Sequence, residues 1–256
     1  MDSGIKRILG FVDVPCLILV GGLGTRLRSM VPDVPKPMVR VDGKPFLEYL
    51  IRWVARMGSR RIVLCAGYRA HQVEEYFGGG DNFGVEITYS VEDQPLGTWG
   101  AIRLAEKHIN APYFLVLNGD SWLEVDLSKL FDFHCKKRAI CSIAAVEVDN
   151  PSRFGSIRID ESGRVTEFVE KSKAGTSLIN GGIYVFSREA MNVSPSIVNS
   201  CSLEKEVFSK MIPRGIYAMP VKGYFIDIGV PEAYKHLLLD AQNWIKTLGI
   251  RDARGG

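Results

Sequence analysis

Residues 17–38 read LILVGGLGTRLRSMVPDVPKPM, and the reading of this stretch decides the fold. The apolar run at 16–20 has no polar alternation, which is the pattern of a strand buried on both faces of a parallel sheet. It stops at Gly21, Gly22 and Gly24, where missing Cβ atoms let backbone N–H groups approach a ligand closely. Successive N–H groups in such a turn form a concave anion site. Thr25 and Arg26 follow at once, and Lys36 stands between Pro35 and Pro37, which restrict the backbone on both sides of it. A glycine turn flanked by two placed cations suits a polyphosphate. The dinucleotide fingerprint is not met, because Leu27 stands where its third glycine belongs, and the Gly-Lys-Ser/Thr ending of a P-loop is absent.

Outward from this stretch, Phe46, Leu47, Leu50, Ile51 and Val54 recur at helical spacing, between a turn at 42–45 and Gly58. Strands are predicted at 61–66, 85–90 and 113–117, with helices at 69–77 and 97–108. This alternation predicts a doubly wound parallel sheet to about residue 120. Beyond it the pattern predicts a helix at 127–138 and a strand at 140–148. A hairpin follows, with arms at 156–159 and 165–170 around the turn Asp160-Glu161-Ser162-Gly163. A strand at 178–186, a helix at 203–212, short strands at 216–220 and 224–228 and a closing helix at 231–248 complete the chain. The expected fold is a single-domain, Rossmann-like α/β unit over 15–248. Its central sheet is mixed, mostly parallel and flanked by helices, with an N-terminal extension at 1–14 and a tail at 249–256.

Composition narrows the function classes. The 256 residues are 46% hydrophobic and 24% charged, an ordinary globular balance. A net charge of +3, with no basic run interleaved with aromatics, gives no reason to expect nucleic acid as a partner. No apolar run reaches the ~20 residues of a membrane span, and residues 1–13 lack the pattern of a signal peptide. The five cysteines are scattered and never form C-x-x-C, so reduced core thiols in a cytoplasmic protein are expected. His71, His108, His134 and His236 do not cluster, have no zinc spacing and are expected at surface or half-buried positions. A homo-oligomer is compatible with the sequence, which does not fix the oligomeric state.

Three further blocks carry chemistry. The first is Glu92-Asp93-Gln94-Pro95-Leu96-Gly97-Thr98, after the third strand. The second is Asn118-Gly119-Asp120-Ser121 at the carboxyl end of a parallel strand, where ligand groups belong, with Asp227 in an otherwise apolar strand. The third comprises Phe154-Gly155, Glu170-Lys171 and Asn180-Gly181-Gly182. With these in view, G-G-L-G-T-R-L followed by P-K-P-M resembles the signature of the sugar-1-phosphate nucleotidylyltransferases, from residue 17 to about residue 240.

The resemblance implies a set of roles. Gly21, Gly22, Gly24 and Thr25 would hold a nucleoside triphosphate, with Arg26 and Lys36 neutralising its phosphates. Gly97 and Thr98 would meet the base, Gly97 by letting it lie against backbone. Asp120 and Asp227 would hold Mg²⁺ between the two substrates, and Arg26, Lys36 and Asp120 would be the catalytic groups. Gly155, Glu170 and Asn180 would bind sugar hydroxyls, and Lys171 the sugar's phosphate. Gly181-Gly182 would leave room for a bulkier sugar, and Trp99 would either narrow the pocket or pack in the core. Glu92 speaks to the base: a carboxylate only accepts, and guanine presents adjacent N1–H and N2–H donors. The expected substrates are therefore GTP and a sugar 1-phosphate. The combined blocks most resemble the members acting on D-glycero-α-D-manno-heptose 1-phosphate to give GDP-heptose for surface polysaccharide. Mannose 1-phosphate, or a uridylyl or thymidylyl transfer to a hexose 1-phosphate, stays open. A catalytically silent nucleotide-sugar sensor on the same fold would dispense with Arg26, Lys36 or Asp120, and all three are present.

Overall fold

The computed structural model describes residues 14–22, 27, 31, 34–149, 151, 154–169, 177–193 and 200–249. Arg26 with Gly24 and Thr25, Glu170 with Lys171, and most of the two expected terminal segments lie outside the described residues. The chain opens with β1 (Cys16–Leu19), passes a 3-10 turn at Lys36–Met38 and forms a small hairpin, β2 (Arg40–Val41) and β3 (Lys44–Pro45). Then come α1 (Phe46–Arg56), β4 (Arg61–Ala66), α2 (Ala70–Phe77), β5 (Glu86–Val91) and α3 (Gly97–Leu104). Next are β6 (Tyr113–Asn118), β7 (Ser121–Leu123) and α4 (Leu127–Lys137). The second half holds β8 (Cys141–Val148), β9 (Ser156–Ile159), β10 (Val165–Val169) and β11 (Ser177–Ser187). A wide π turn at Leu203–Val207 leads into α5 (Phe208–Gly215), followed by β12 (Ile216–Val221), β13 (Phe225–Asp227), α6 (Pro231–Leu239) and α7 (Ala241–Thr247).

The sheet divides as its sequence does. β5, β4, β1 and β6 lie side by side in that order, all parallel, and nearly all of β1, β4 and β6 is buried. That is why their sequences are continuous apolar runs. The second half adds to β6 through β11, which runs antiparallel to it. β8 pairs antiparallel with β11, β12 pairs parallel with β8, and the β9–β10 hairpin joins at β11. The expected mixed, helix-flanked α/β sheet is thus present.

Each face of the sheet buries its own core. One packs α1, α2, α4 and α7, where Phe46 stacks on Trp244 at 5.2 Å and Trp53 meets Trp122 edge-on at 5.9 Å. The other packs α3 and α5, with Phe114 stacked on Phe186 at 5.3 Å. Trp99 belongs to this second core, against Phe186, so its large ring is packing and not a wall of the site.

Three expectations are corrected. The closing helix breaks at Asp240, whose carboxylate accepts from the Tyr224 hydroxyl at 3.2 Å and the Asn243 amide at 2.7 Å. The helix expected from 203 starts as the π turn and continues through Pro213 to Gly215. His134 is buried, its Nδ1 3.0 Å from the Ser142 hydroxyl and its Nε2 3.0 Å from that of Ser187. Gly181 and Gly182 form a bulge in β11, where the register to β8 shifts between Asn180 and Ile183. Gly182 has φ +75°, and a Cβ there would stand 2.5 Å from Ser121 Oγ, while one on Gly181 would stand 2.7 Å from the Ala144 carbonyl oxygen.

Candidate active site

The carboxyl ends of the parallel strands β1, β5 and β6 open on one side of the sheet, and each continues straight into one of the sequence blocks. The ladder carries on past the strands: Val20 N–H donates to the Cys65 carbonyl and Gly119 N–H to that of Leu19, both at 2.9 Å. Glu92 N–H, at the end of β5, donates to Ala66 O at 2.9 Å. The first glycines, Glu92 and the Asn118–Asp120 segment are therefore fixed to the rigid sheet, not carried on free loops.

Two cavities adjoin there. One, of about 260 Å³, is lined by Gly21, Gly22, Glu92, Gly97 and Thr98. The other, of about 200 Å³, is lined by Ser121, Gly155, Asn180, Glu204 and Asp227. Lys36, Asn118 and Asp120 line both, so these three residues form the junction. Every described residue singled out for the nucleotide lies on the first cavity, and every described one singled out for the sugar lies on the second.

Local contacts refine each role. Lys36 Nζ forms an ion pair with the Asp120 carboxylate, and the lysine side chain is largely buried. Asp227 is held beside it: β13 pairs with β7 so that Asp227 faces Ser121, and Ile228 N–H donates to the Asp120 carbonyl at 2.9 Å. Gly229 N–H donates to Asp227 Oδ1 at 2.6 Å, which fixes the carboxylate's rotamer. Glu92 Oε2 accepts from Leu96 N–H at 3.1 Å, and its other oxygen lies so close to Gly21 that a Cβ there would stand 2.9 Å from it. Burial pushes the Glu92 carboxyl above its ordinary pKa, and the Leu96 N–H partly opposes this.

Asn180 is braced by its own bulge, its Oδ1 accepting from Gly182 N–H at 2.9 Å and its amide donating to the Tyr184 hydroxyl at 2.8 Å. An amide offers two donors and two lone pairs, so one of each is left for a ligand. Gly97 has a reason to be glycine that the sequence did not show. It has φ +74°, and a Cβ would stand 2.5 Å from the Cys201 carbonyl oxygen, so a protein segment already demands the absence of a side chain.

Sequence reasoning passed over three groups on the second cavity. Asn118 Oδ1 and Ser121 Oγ are buried without a hydrogen-bond partner among the described residues. Buried polar atoms without partners are uncommon, and on the wall of a cavity they are acceptors that water or a ligand can use. Both flank Gly119-Asp120, so proximity to that block was an available signal. Glu204 had no such signal, because it belongs to no glycine or proline block.

Among the described residues no group of three or more His, Cys, Asp or Glu is placed to hold a metal. The donor set at the junction is a pair of carboxylates, Asp120 and Asp227, both lining the second cavity. One or two carboxylates completed by substrate phosphates and water is the coordination that suits Mg²⁺, so the residues present fit that ion.

Residues 16–243 match the family model described as "Nucleotidyl transferase". The chain belongs to that family. It is 36% identical over 230 residues to the D-glycero-alpha-D-manno-heptose 1-phosphate guanylyltransferase of Aneurinibacillus thermoaerophilus, covering 90% of this chain and 99% of that one. It is 39% identical over 228 residues to the protein of the same name from Campylobacter jejuni, covering 88% and 98%. Among solved structures it resembles HddC from Yersinia pseudotuberculosis complexed with GMP-PN, with a TM-score of 0.78, 36% identity and coverage of 89% and 99%. The single α/β domain and the sheet described above are the fold of this nucleotidyl transferase group.

Proposed function

We propose that this protein joins GTP to D-glycero-α-D-manno-heptose 1-phosphate, giving GDP-heptose and pyrophosphate. The observation that carries the reading is the pair of cavities meeting at Lys36, Asn118 and Asp120. A transfer between two bound substrates needs two subsites with a shared wall where the reacting atoms meet. The heptose assignment is supported by the near full-length similarity to two heptose 1-phosphate guanylyltransferases.

The chemistry asks little of proton transfer. The nucleophile is an oxygen of the sugar phosphate, and a phosphate monoester with a second pKa of about 6 is mostly dianionic at neutral pH. That oxygen forms a bond to the α-phosphorus, and the bond from the α-phosphorus to the bridging oxygen breaks, with pyrophosphate taking the electron pair. No general base is required. The difficulty is to bring two anions together, so catalysis rests on positioning and neutralisation.

Glu92 accepts from guanine N1–H and N2–H and fixes the base. Lys36, released from Asp120 by incoming phosphate, neutralises the charge that builds on the leaving group. Asp120 and Asp227 would hold Mg²⁺, which, when bound there, supplies positive charge beside the substrate phosphates. Asn180 and Gly155 orient the sugar, and Arg26, Glu170 and Lys171 take the phosphate and hydroxyl contacts that the family resemblance implies. The product is an activated donor of the kind consumed by glycosyl transfer into a polysaccharide.

The test is product formation from GTP and the heptose 1-phosphate, followed by mass spectrometry of the nucleotide sugar, for wild type, Lys36→Ala and Asp120→Ala. Each variant should lose about 10²–10³ in kcat, the scale of removing one stabilising group at a reacting centre. Near wild-type turnover in either would sink the assignment of the junction.

A further inference from the structure

Glu204 lines the second cavity, where no role has been assigned to it. It sits on the π turn Leu203–Val207, which folds back over the start of α3. The two segments are bolted together by backbone. Cys201 N–H donates to the Leu96 carbonyl at 2.8 Å, and Trp99 N–H donates to that of Cys201 at 3.0 Å. The first turn of α3 has no side-chain cap, so Cys201 supplies one of the acceptors that its free N–H groups need.

The side chains continue the same joint. Leu203 N–H donates to Thr98 Oγ1 at 2.7 Å, and that hydroxyl donates onward to Glu204 Oε2 at 2.9 Å. Ser202 Oγ donates to the same carboxylate oxygen at 3.0 Å. Both hydroxyls spend their proton on Oε2, and Oε1 receives no hydrogen bond among the described residues. A carboxylate held at one oxygen, with its other oxygen available beside a polar cavity, is an acceptor for a hydroxyl group.

We propose that Glu204 binds the sugar, accepting a hydrogen bond from one of its hydroxyls through Oε1, and that Thr98 is a positioning residue that sets Glu204 from the nucleotide side. Thr98 lines the nucleotide cavity and not the sugar cavity, so a single hydroxyl couples the two. The inference rests on the sugar 1-phosphate reading above and deepens it.

The test is steady-state kinetics on Glu204→Gln, Thr98→Val and Thr98→Ser, with GTP and the sugar 1-phosphate varied in turn, and with mannose 1-phosphate analogues each lacking one hydroxyl. Thermal unfolding of each variant shows that it is folded. A lost hydrogen bond to a charged acceptor is worth roughly ten- to hundredfold, so Glu204→Gln should raise KM for the sugar phosphate by at least about tenfold. Its KM for GTP should stay within about twofold, and its penalty should vanish for one deoxy analogue only. Thr98→Val should raise KM for the sugar phosphate although Thr98 does not face the sugar, and Thr98→Ser should restore it. If Glu204→Gln raises both KM values alike, or costs the same with every deoxy analogue, the carboxylate is merely structural and the proposal fails. Wild-type protein idle with GTP and every sugar phosphate overturns the functional reading, and this inference with it.

Discussion

At the scale of single residues, the proposed function gives Glu92 the choice of base. Its carboxylate must be ionised to accept from guanine, yet burial raises its pKa. As pH falls through that raised value the group gains a proton and loses an acceptor, so kcat/KM for GTP should fall on the acid side, earlier than an ordinary carboxylate would allow. Glu92→Gln removes the titration and turns an amide donor toward guanine's own donors. It should raise KM for GTP about tenfold and flatten the acid limb. The check is kcat/KM for GTP over about pH 5 to pH 8 for both proteins; an unchanged acid limb in the variant would remove Glu92 from the base site. Residue identity was largely legible in the sequence here, because glycine, proline and carboxylate blocks sit at strand ends where few other arrangements serve. What it did not show is which neighbour each group answers to. Gly97 answers to the Cys201 carbonyl, and Gly181 and Gly182 answer to Ala144 and Ser121. A glycine announces that something comes close without saying what.

At the scale of elements, the strands and helices followed from periodicity, and the misses came where tertiary partners overrode it. One long amphipathic pattern at 231–248 became α6 and α7 because Asp240 is pinned by Tyr224 and Asn243. The π turn before α5 is invisible to a period of 3.6, and it is what aims Glu204 into the cavity. His134 belongs to the same lesson, since helical spacing says which face of α4 is buried but not that Ser142 and Ser187 wait there. Ser187 Oγ donates to the Ala139 carbonyl at 2.7 Å, so it accepts from His134 Nε2–H, and the imidazole is neutral with Nδ1 accepting from Ser142.

Burial lowers its pKa to about 4. Above about pH 6.5 the histidine is neutral in both folded and unfolded chains. Below that the unfolded chain takes up a proton that the native one refuses, so stability declines as pH falls toward about 4. The slope approaches 1.4 kcal/mol for each pH step of one, about 3 kcal/mol in all. Urea unfolding across this range should show that decline in the wild type and a shallower one in His134→Gln. Identical slopes would mean that His134 is protonated in the native state.

At the scale of the whole molecule, the two halves of the sheet divide the work. The parallel half, β5-β4-β1-β6, lines the first cavity, proposed for the nucleotide, at its carboxyl ends, and the half built on β11 lines the second, proposed for the sugar. The halves meet at the β6–β11 pairing, and Asn118 and Asp120, at and just beyond the end of β6, line both cavities. The opening stretch at 17–38 has a place in this division. It places Gly21 and Gly22 on one cavity and Lys36 at the wall between two. In the second half only the β9–β10 hairpin was legible, because strands separated by long connections leave no local trace of their partners. The most direct measurement is pyrophosphate release with GTP, ATP, CTP, UTP and dTTP, each combined with the 1-phosphates of mannose, glucose and D-glycero-α-D-manno-heptose. The expected result is the highest kcat/KM for GTP with the heptose phosphate, with other bases at least about tenfold lower; UTP or dTTP clearly ahead of GTP would contradict it.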